Sequence, residues 1–334
     1  MQKRIVISIG DINGIGPEVV IKSLRKLPLT EVTPIILSSK EVLDFWLDSL
    51  SEPMSYHHAQ SIGEVKKQQI NLLQTYTDKH LTVNPGHFSK QSGKYAMLSV
   101  EKGIALCKSE QADALVTAPI SKEAVNLAGY NIPGHTEFLA EKTNTSDFMM
   151  MLVHKDLRVG LVTGHIPISE VASTLSTDSI KKYIRVMHSA LQDDFNIPTP
   201  SIAVLGLNPH AGDGGIIGSE EQHIITPAIK DLRAEGLSVS GPHPADGFFG
   251  NSKYEQFDGI VAMYHDQGLI PFKTLSFGGG VNFTAGLPII RTSPDHGTAF
   301  DIAGQNKANP SSFAEAFKLA TELITHRTEQ VANG

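Results

Sequence analysis

Short runs of aliphatic and β-branched residues alternate along the chain with longer amphipathic stretches, the pattern of an α/β protein with a largely parallel sheet. The run Ile5-Val6-Ile7-Ser8-Ile9 predicts a first strand. A glycine-rich turn from Gly10 to Gly16 follows, and Pro17 stands at a first helical position ahead of Glu18-Val19-Val20-Ile21. Residues 33–37 predict a second strand. Between about residues 50 and 93 the periodicity weakens among polar clusters, and no element is assigned there. An amphipathic helix is expected over 92–109, then a buried strand over 113–117 and a further helix from about Ser121. In 177–195, Ile180, Ile184, Met187 and Leu191 recur at helical spacing, with Thr177 or Asp178 as the expected N-cap. No internal repeat, low-complexity tract or long hydrophilic linker marks a domain boundary.

Three of the apolar runs share a property, because each leads into a histidine. Residues 158–164 precede His165, 202–209 precede His210, and 259–264 precede His265. In an open parallel sheet the carboxyl ends of the strands line one edge, where ligands bind, so these imidazoles can converge despite separations of 45 and 55 positions. Two readings stay open. A single strand-end histidine is most often a hydrogen-bonded structural residue. Three in equivalent places suit a divalent metal with open positions for substrate and water, the arrangement of a catalytic site. The other histidines, among them His57, His58 and His87, read as ordinary surface or loop residues.

Groups for an anionic ligand are also present. Gly134-His135-Thr136-Glu137 reads as a turn into a helix, with Thr136 as the cap and backbone amides facing a phosphate or carboxylate; a plain helix cap is the simpler reading. Lys273, Asn282 and Arg291 follow the third histidine amid Gly278-Gly279-Gly280 and Gly286. An arginine clamps carboxylate or phosphate through two hydrogen bonds, and a lysine adds a point charge. The turn from Gly10 to Glu18 lies where nucleotide loops lie but lacks both the Walker ending and the G-x-G-x-x-G spacing, and a tight strand-to-helix turn explains it equally well.

Composition narrows the chemistry. A length of 334 residues allows about two domains. Fourteen histidines against one cysteine, Cys107, mean that a protein-held metal is bound by imidazole and carboxylate, which excludes thiolate zinc and iron–sulfur sites. The net charge of −7 gives no general attraction to nucleic acid or anionic membrane, and no segment reaches the roughly 20 apolar residues of a membrane span. The N-terminal residues run directly into a strand rather than a signal peptide, so a cytoplasmic protein is expected.

The turn from Gly10 to Glu18, Thr117-Ala118-Pro119-Ile120-Ser121-Lys122, Gly134-His135-Thr136-Glu137, Asn208-Pro209-His210-Ala211-Gly212, Tyr264-His265-Asp266-Gln267-Gly268 and residues 291–304 together resemble the 4-hydroxythreonine-4-phosphate dehydrogenase family of vitamin B6 biosynthesis, over nearly the whole chain. The resemblance implies a two-lobed fold like that of isocitrate and isopropylmalate dehydrogenases, with the active site in the cleft between lobes. It also implies a homodimer with the site near the subunit interface. The lobes are expected as 1–130 with 290–334, which carries the cofactor loop, and 131–289, which carries the metal and dimer contacts.

By the same resemblance His165, His210 and His265 hold one divalent metal, zinc, magnesium or cobalt, and ligands from both subunits contribute. His135, Thr136, Lys273, Asn282 and Arg291 contact the phosphorylated substrate. His296, Gly297, Thr298, Ala299 and Asp301 look like the cofactor loop of the wider superfamily, and Asn309 like its adenine-contacting piece. A carboxylate at Asp301 would repel a 2′-phosphate, which favours NAD, with NADP as the alternative.

The implied reaction is oxidation of the C3 hydroxyl of 4-phosphooxy-L-threonine to 2-amino-3-oxo-4-phosphooxybutanoate. That β-keto acid loses CO2 to give 3-amino-2-oxopropyl phosphate, on the route to pyridoxine 5′-phosphate. Lys273 and Asp246 are the general-base candidates, and Asp266 orients a metal ligand or packs structurally. The nearest rival is a sister dehydrogenase acting on 4-phospho-D-threonate or 4-phospho-D-erythronate. A phosphate acyltransferase of related fold and a phosphate-binding protein without turnover are more distant.

Overall fold

The computed structural model describes residues 2–132 and 134–333, with side chains as far as Gln330. In chain order the strands are β1 (Lys3–Ser8), β2 (Val32–Ser38), β3 (His57–Ala59), β4 (Asn71–Gln74), β5 (Ala114–Thr117) and β6 (Met149–His154). They continue with β7 (Leu157–Leu161), β8 (Ser201–Leu205), β9 (Ser238–His243), β10 (Gly259–Ala262), β11 (Val281–Ala285) and β12 (Ile290–Pro294). The α-helices begin with α1 (Gly16–Leu24), α2 (Lys40–Leu50), α3 (Lys90–Lys108), α4 (Lys122–Leu127), α5 (His135–Lys142) and α6 (Ile168–Thr174). The rest are α7 (Thr177–Asp193), α8 (Thr226–Ala234), α9 (Ala245–Gly250), α10 (His265–Ser276) and α11 (Ser311–Asn333).

The chain divides into two compact units, Met1–Thr145 with Leu287–Thr325, and Ser146–Gly286 with His326–Gly334. The boundaries fall at 145/146, 286/287 and 325/326, against the expected 130/131 and 289/290. Helix α5 lies in the first unit rather than the second, and the end of α11 belongs to the second, so the termini do not share a unit. The second shift has a visible cause. His326 Nδ1 lies 2.9 Å from the Asp194 carbonyl, Arg327 Nε donates to the Asp194 carboxylate at 2.6 Å, and Gln330 Nε2 donates to the Gln192 carbonyl at 2.6 Å.

In the first unit the strands run in the order β3-β4-β2-β1-β5-β12, each pair parallel. Burial is continuous rather than alternating along β2 and β5 and from Ile5 onward in β1, as parallel strands covered on both faces require. Strands β3 and β4 occupy the stretch where the periodicity is weak; at three and four residues they are too short to show a period.

In the second unit the order is β11-β6-β7-β10-β8-β9. The first two pairings are antiparallel and the last three parallel. Strands β7, β10 and β8, which precede the three histidines, are therefore parallel neighbours with their carboxyl ends along one edge. They end at Leu161, Leu205 and Ala262, four, five and three residues before His165, His210 and His265, so the histidines stand past the strand ends, His265 as the first residue of α10. Beneath this edge Leu152, Val159, Leu205, Ile260, Phe248 and Phe272 form a buried apolar cluster.

Two helix starts differ from expectation. Helix α3 begins at Lys90, and Ser89 and Ser92 exchange side-chain-to-backbone bonds in a capping box. Helix α7 is capped by Ser176, reciprocated by Ser179, rather than by Thr177 or Asp178. Its stripe of Ile180, Ile184, Met187 and Leu191 is buried as the spacing predicts.

Candidate active site

The residues of the first unit read as candidates for an anionic ligand start from β12. Arg291 has only 2% of its surface exposed, and its Nε and Nη2 both donate to Thr117 Oγ1 at the end of β5, at 3.1 and 2.7 Å. Burial pushes the guanidinium down to about 10, and the Glu137 carboxylate works against that shift. A guanidinium fixed by a neighbouring hydroxyl and held in low dielectric is a strong recognition element for a phosphate.

His135 opens α5 close to this charge. Its Nε2 is enclosed without a hydrogen-bond partner, and burial, reinforced by Arg291, holds the imidazole well below its usual value. An enclosed polar atom without a partner costs free energy, and a ligand that bonds it recovers that cost. The cap of α5 is Gly134, extended and without a side-chain cap bond; Thr136 is the second helical residue, not the cap expected. The first-turn amides of α5 are thus left uncapped by any side chain. Gly134 leaves room for Glu137, whose Oε2 would lie 2.8 Å from a Cβ at that position.

The segment after β12 includes His296, Gly297, Thr298, Ala299 and Asp301. His296 Nδ1 lies 3.0 Å from the Gly297 carbonyl, and its Nε2 is buried without a partner. Ala299 is left-handed at φ 40°, Asp301 is exposed, and Asn309 Oδ1 accepts from Ser311 N and Oγ.

In the second unit the His165 and His265 rings have centroids 5.5 Å apart. His265 Nδ1 lies 2.7 Å from Asp266 Oδ1, so a proton on Nδ1 leaves the Nε2 lone pair for an ion, as metal-binding histidines are commonly arranged. His210 starts a run of left-handed residues through Gly214 and is exposed. Among the described residues no group of three His, Cys, Asp or Glu side chains is arranged to hold an ion. The donor chemistry fits a divalent metal, but one chain does not close the three imidazoles round a point.

His210, Asp246 and Asp266 share the wall of a cavity of about 460 Å³ with Tyr264, Phe249 and Ile270. Lys273, two residues past the Pro271 wall, is exposed on the last turn of α10 and is not among the lining residues. Asn282 on β11 has a buried Oδ1 without a partner. Three of the residues singled out for substrate or cofactor, His135, Asn282 and His296, thus hold enclosed polar atoms that await a partner.

Sequence reasoning gave no task to several residues that hold these groups in place. Thr117 sets Arg291. Glu221, 3% exposed, accepts from Leu207 N and Asn208 N at 2.7 Å each and from Asn208 Nδ2 at 2.9 Å, which ties down the turn before His210. Gln267 accepts from Met263 N at 2.7 Å and donates to the Gly206 carbonyl at 2.6 Å, linking the ends of β10 and β8. Only the motifs Thr117–Lys122 and Tyr264–Gly268 hinted at two of them.

The family model for the pyridoxal phosphate biosynthetic protein PdxA matches residues 30–320. A 4-hydroxythreonine-4-phosphate dehydrogenase of Bacteroides thetaiotaomicron is 42% identical over 331 residues, covering 98% of this chain and 91% of the relative. A crystal structure of 4-hydroxythreonine-4-phosphate dehydrogenase from Klebsiella pneumoniae superposes with a TM-score of 0.88 at 39% identity, covering 97% of this chain and 98% of the other. A branched-chain phosphotransacylase from Enterococcus faecalis reaches a TM-score of 0.57 at 10% identity over 97% of this chain and 100% of the other, a likeness of fold alone. The chain belongs to the PdxA family of pyridoxal phosphate biosynthetic proteins.

Proposed function

We propose that the chain is a metal-dependent, NAD-linked 4-hydroxythreonine-4-phosphate dehydrogenase. It oxidises 4-phosphooxy-L-threonine at C3 to 2-amino-3-oxo-4-phosphooxybutanoate, which decarboxylates to 3-amino-2-oxopropyl phosphate. The observation that carries this reading is the buried Arg291 guanidinium on Thr117, next to a neutral His135 with an unfilled Nε2. Burial makes both groups bind a phosphate oxygen more firmly than they would in water. Thr136, on the first turn of the same helix, adds to these contacts.

His165, His210 and His265 would hold the divalent ion, with Asp266 fixing the His265 tautomer. A divalent ion held by these residues, zinc, cobalt or magnesium, would supply Lewis-acid chemistry to the C3 hydroxyl. A second copy of the chain would contribute to the set, and the exposed Ile168, Ile216, Ile270 and Phe277 of the second unit would offer apolar surface for it. Asp246 is the favoured general base over Lys273, since it shares the cavity wall with His210. Asp246 would take the proton of the C3 hydroxyl, and a bound NAD would supply the hydride acceptor. The exposed Asp301 would disfavour a 2′-phosphate, which favours NAD over NADP.

The phosphate reading is tested by comparing 4-phosphooxy-L-threonine with unphosphorylated 4-hydroxythreonine. Wild type should prefer the phosphorylated compound strongly, and Arg291→Ala should remove about 1.5–3 kcal/mol of that preference, roughly ten- to a hundredfold. An equal loss for both compounds would place Arg291 outside the phosphate site.

A further inference from the structure

The segment from Gly10 to Glu18 has the strand–turn–helix setting of a nucleotide loop without the glycine spacing or lysine of one, and the reaction just described gives it no task. Its contacts supply one. Ile15 N donates to the Thr298 carbonyl at 2.9 Å. A Cβ at Gly14 would lie 3.0 Å from that same oxygen and 3.1 Å from the Thr298 Cβ, so only glycine allows this approach without displacing Thr298.

One turn further on, Glu18 has no exposed surface, and its Oε1 accepts from Ala308 N at 2.8 Å and from Lys22 Nζ at 2.6 Å. Lys22 Nζ also donates to the carbonyls of Asn306 and Ala308, both at 3.1 Å. A buried carboxylate is tolerated only with partners, and here the partners are an ammonium and the main chain just before Asn309. The turn is itself anchored, because Asn13 accepts from Asn84 N at 2.8 Å and donates to the His87 carbonyl at 2.7 Å, and Trp46 Nε1 donates to the Ile12 carbonyl at 2.9 Å.

We propose that Gly14 and Glu18 are positioning residues for the dinucleotide: the turn and α1 form a bed that fixes Thr298 at one end of the cofactor segment and 306–308 at the other. His296, Asp301 and Asn309 are thereby set for the cofactor before it arrives. This inference rests on the reading of 296–309 as the cofactor segment. Gly14→Ala pushes on Thr298 directly. Glu18→Gln keeps the size and the acceptor for Ala308 N but removes the charge that holds Lys22 against the two carbonyls.

The test is a titration of the purified full-length protein with NADH in the absence of phosphorylated substrate, followed by KM values for NAD and for 4-phosphooxy-L-threonine. Each variant should weaken NADH binding about tenfold and raise the KM for NAD to match, with the KM for the phosphorylated substrate within about twofold of wild type. Wild-type NADH affinity in both folded variants overturns the proposal, as does a parallel rise of both KM values, which marks a general loss of structure. Asp301→Lys separates the two levels. If it leaves NADH binding intact, the cofactor-segment reading fails and takes this proposal with it. If it weakens binding while Gly14→Ala and Glu18→Gln do not, the positioning role alone fails.

Discussion

His135 carries the sharpest pH consequence at the scale of single residues. In the folded protein its imidazole resists protonation until well below the ordinary 6.5, because it is buried and faces Arg291. An unfolded chain takes that proton near pH 6.5, so between the two values the unfolded state binds more protons, and stability falls as the pH drops through this window. Urea midpoints should therefore decline more steeply from pH 7.5 to 5.5 in wild type than in His135→Gln; identical slopes would contradict the burial argument. For the proton-removing group, single-turnover hydride transfer discriminates: Asp246→Asn should slow the step with substrate binding retained, whereas an unimpaired rate would shift the role to Lys273. The residues proposed to touch ligands could be singled out in sequence because imidazoles, Arg291 and Asn282 are chemically conspicuous. Thr117 and Glu221 were not, since a threonine ending a buried strand or a glutamate in a helix has no local signature of what it holds across 174 or 14 positions.

At the scale of elements, the segments that follow β7, β8 and β10 carry the proposed ion-binding groups, His265 at the start of α10. Periodicity showed three buried runs, and their parallel neighbouring places put the following histidines on one edge. The strands stop earlier than the apolar runs do, because Asn208-Pro209 breaks the ladder after β8 and Tyr264 turns the chain into α10. The left-handed run from His210 to Gly214 is costly backbone for His210, Ala211 and Asp213, and Glu221 holds the residues just ahead of it. Glu221→Ala removes the acceptor of two amides and of the Asn208 side chain. It should cost about 1–3 kcal/mol of stability and lower divalent-metal affinity about ten- to a hundredfold. Calorimetric unfolding and competition with a metal chelator measure the two effects, and unchanged affinity would sever Glu221 from the metal site.

For the whole molecule, composition and alternation were enough to expect an α/β chain of two units, and the family motifs were spread widely enough to mark membership from end to end. The boundaries were less legible. Which unit α5 joins depends on long-range packing, as does the attachment of the end of α11 through Arg327 and Asp194, and neither leaves a periodic trace. No helix of the described residues is long and apolar enough to cross a membrane. The central claim is a choice of substrate and chemistry, and it is tested most directly by NADH formation from 4-phosphooxy-L-threonine, 4-phospho-D-threonate and 4-phospho-D-erythronate, each with NAD and added zinc, cobalt or magnesium. The account predicts metal-dependent NADH formation with 4-phosphooxy-L-threonine as the preferred substrate; preferred turnover of either phosphosugar acid, or no NADH with any of them, would contradict it.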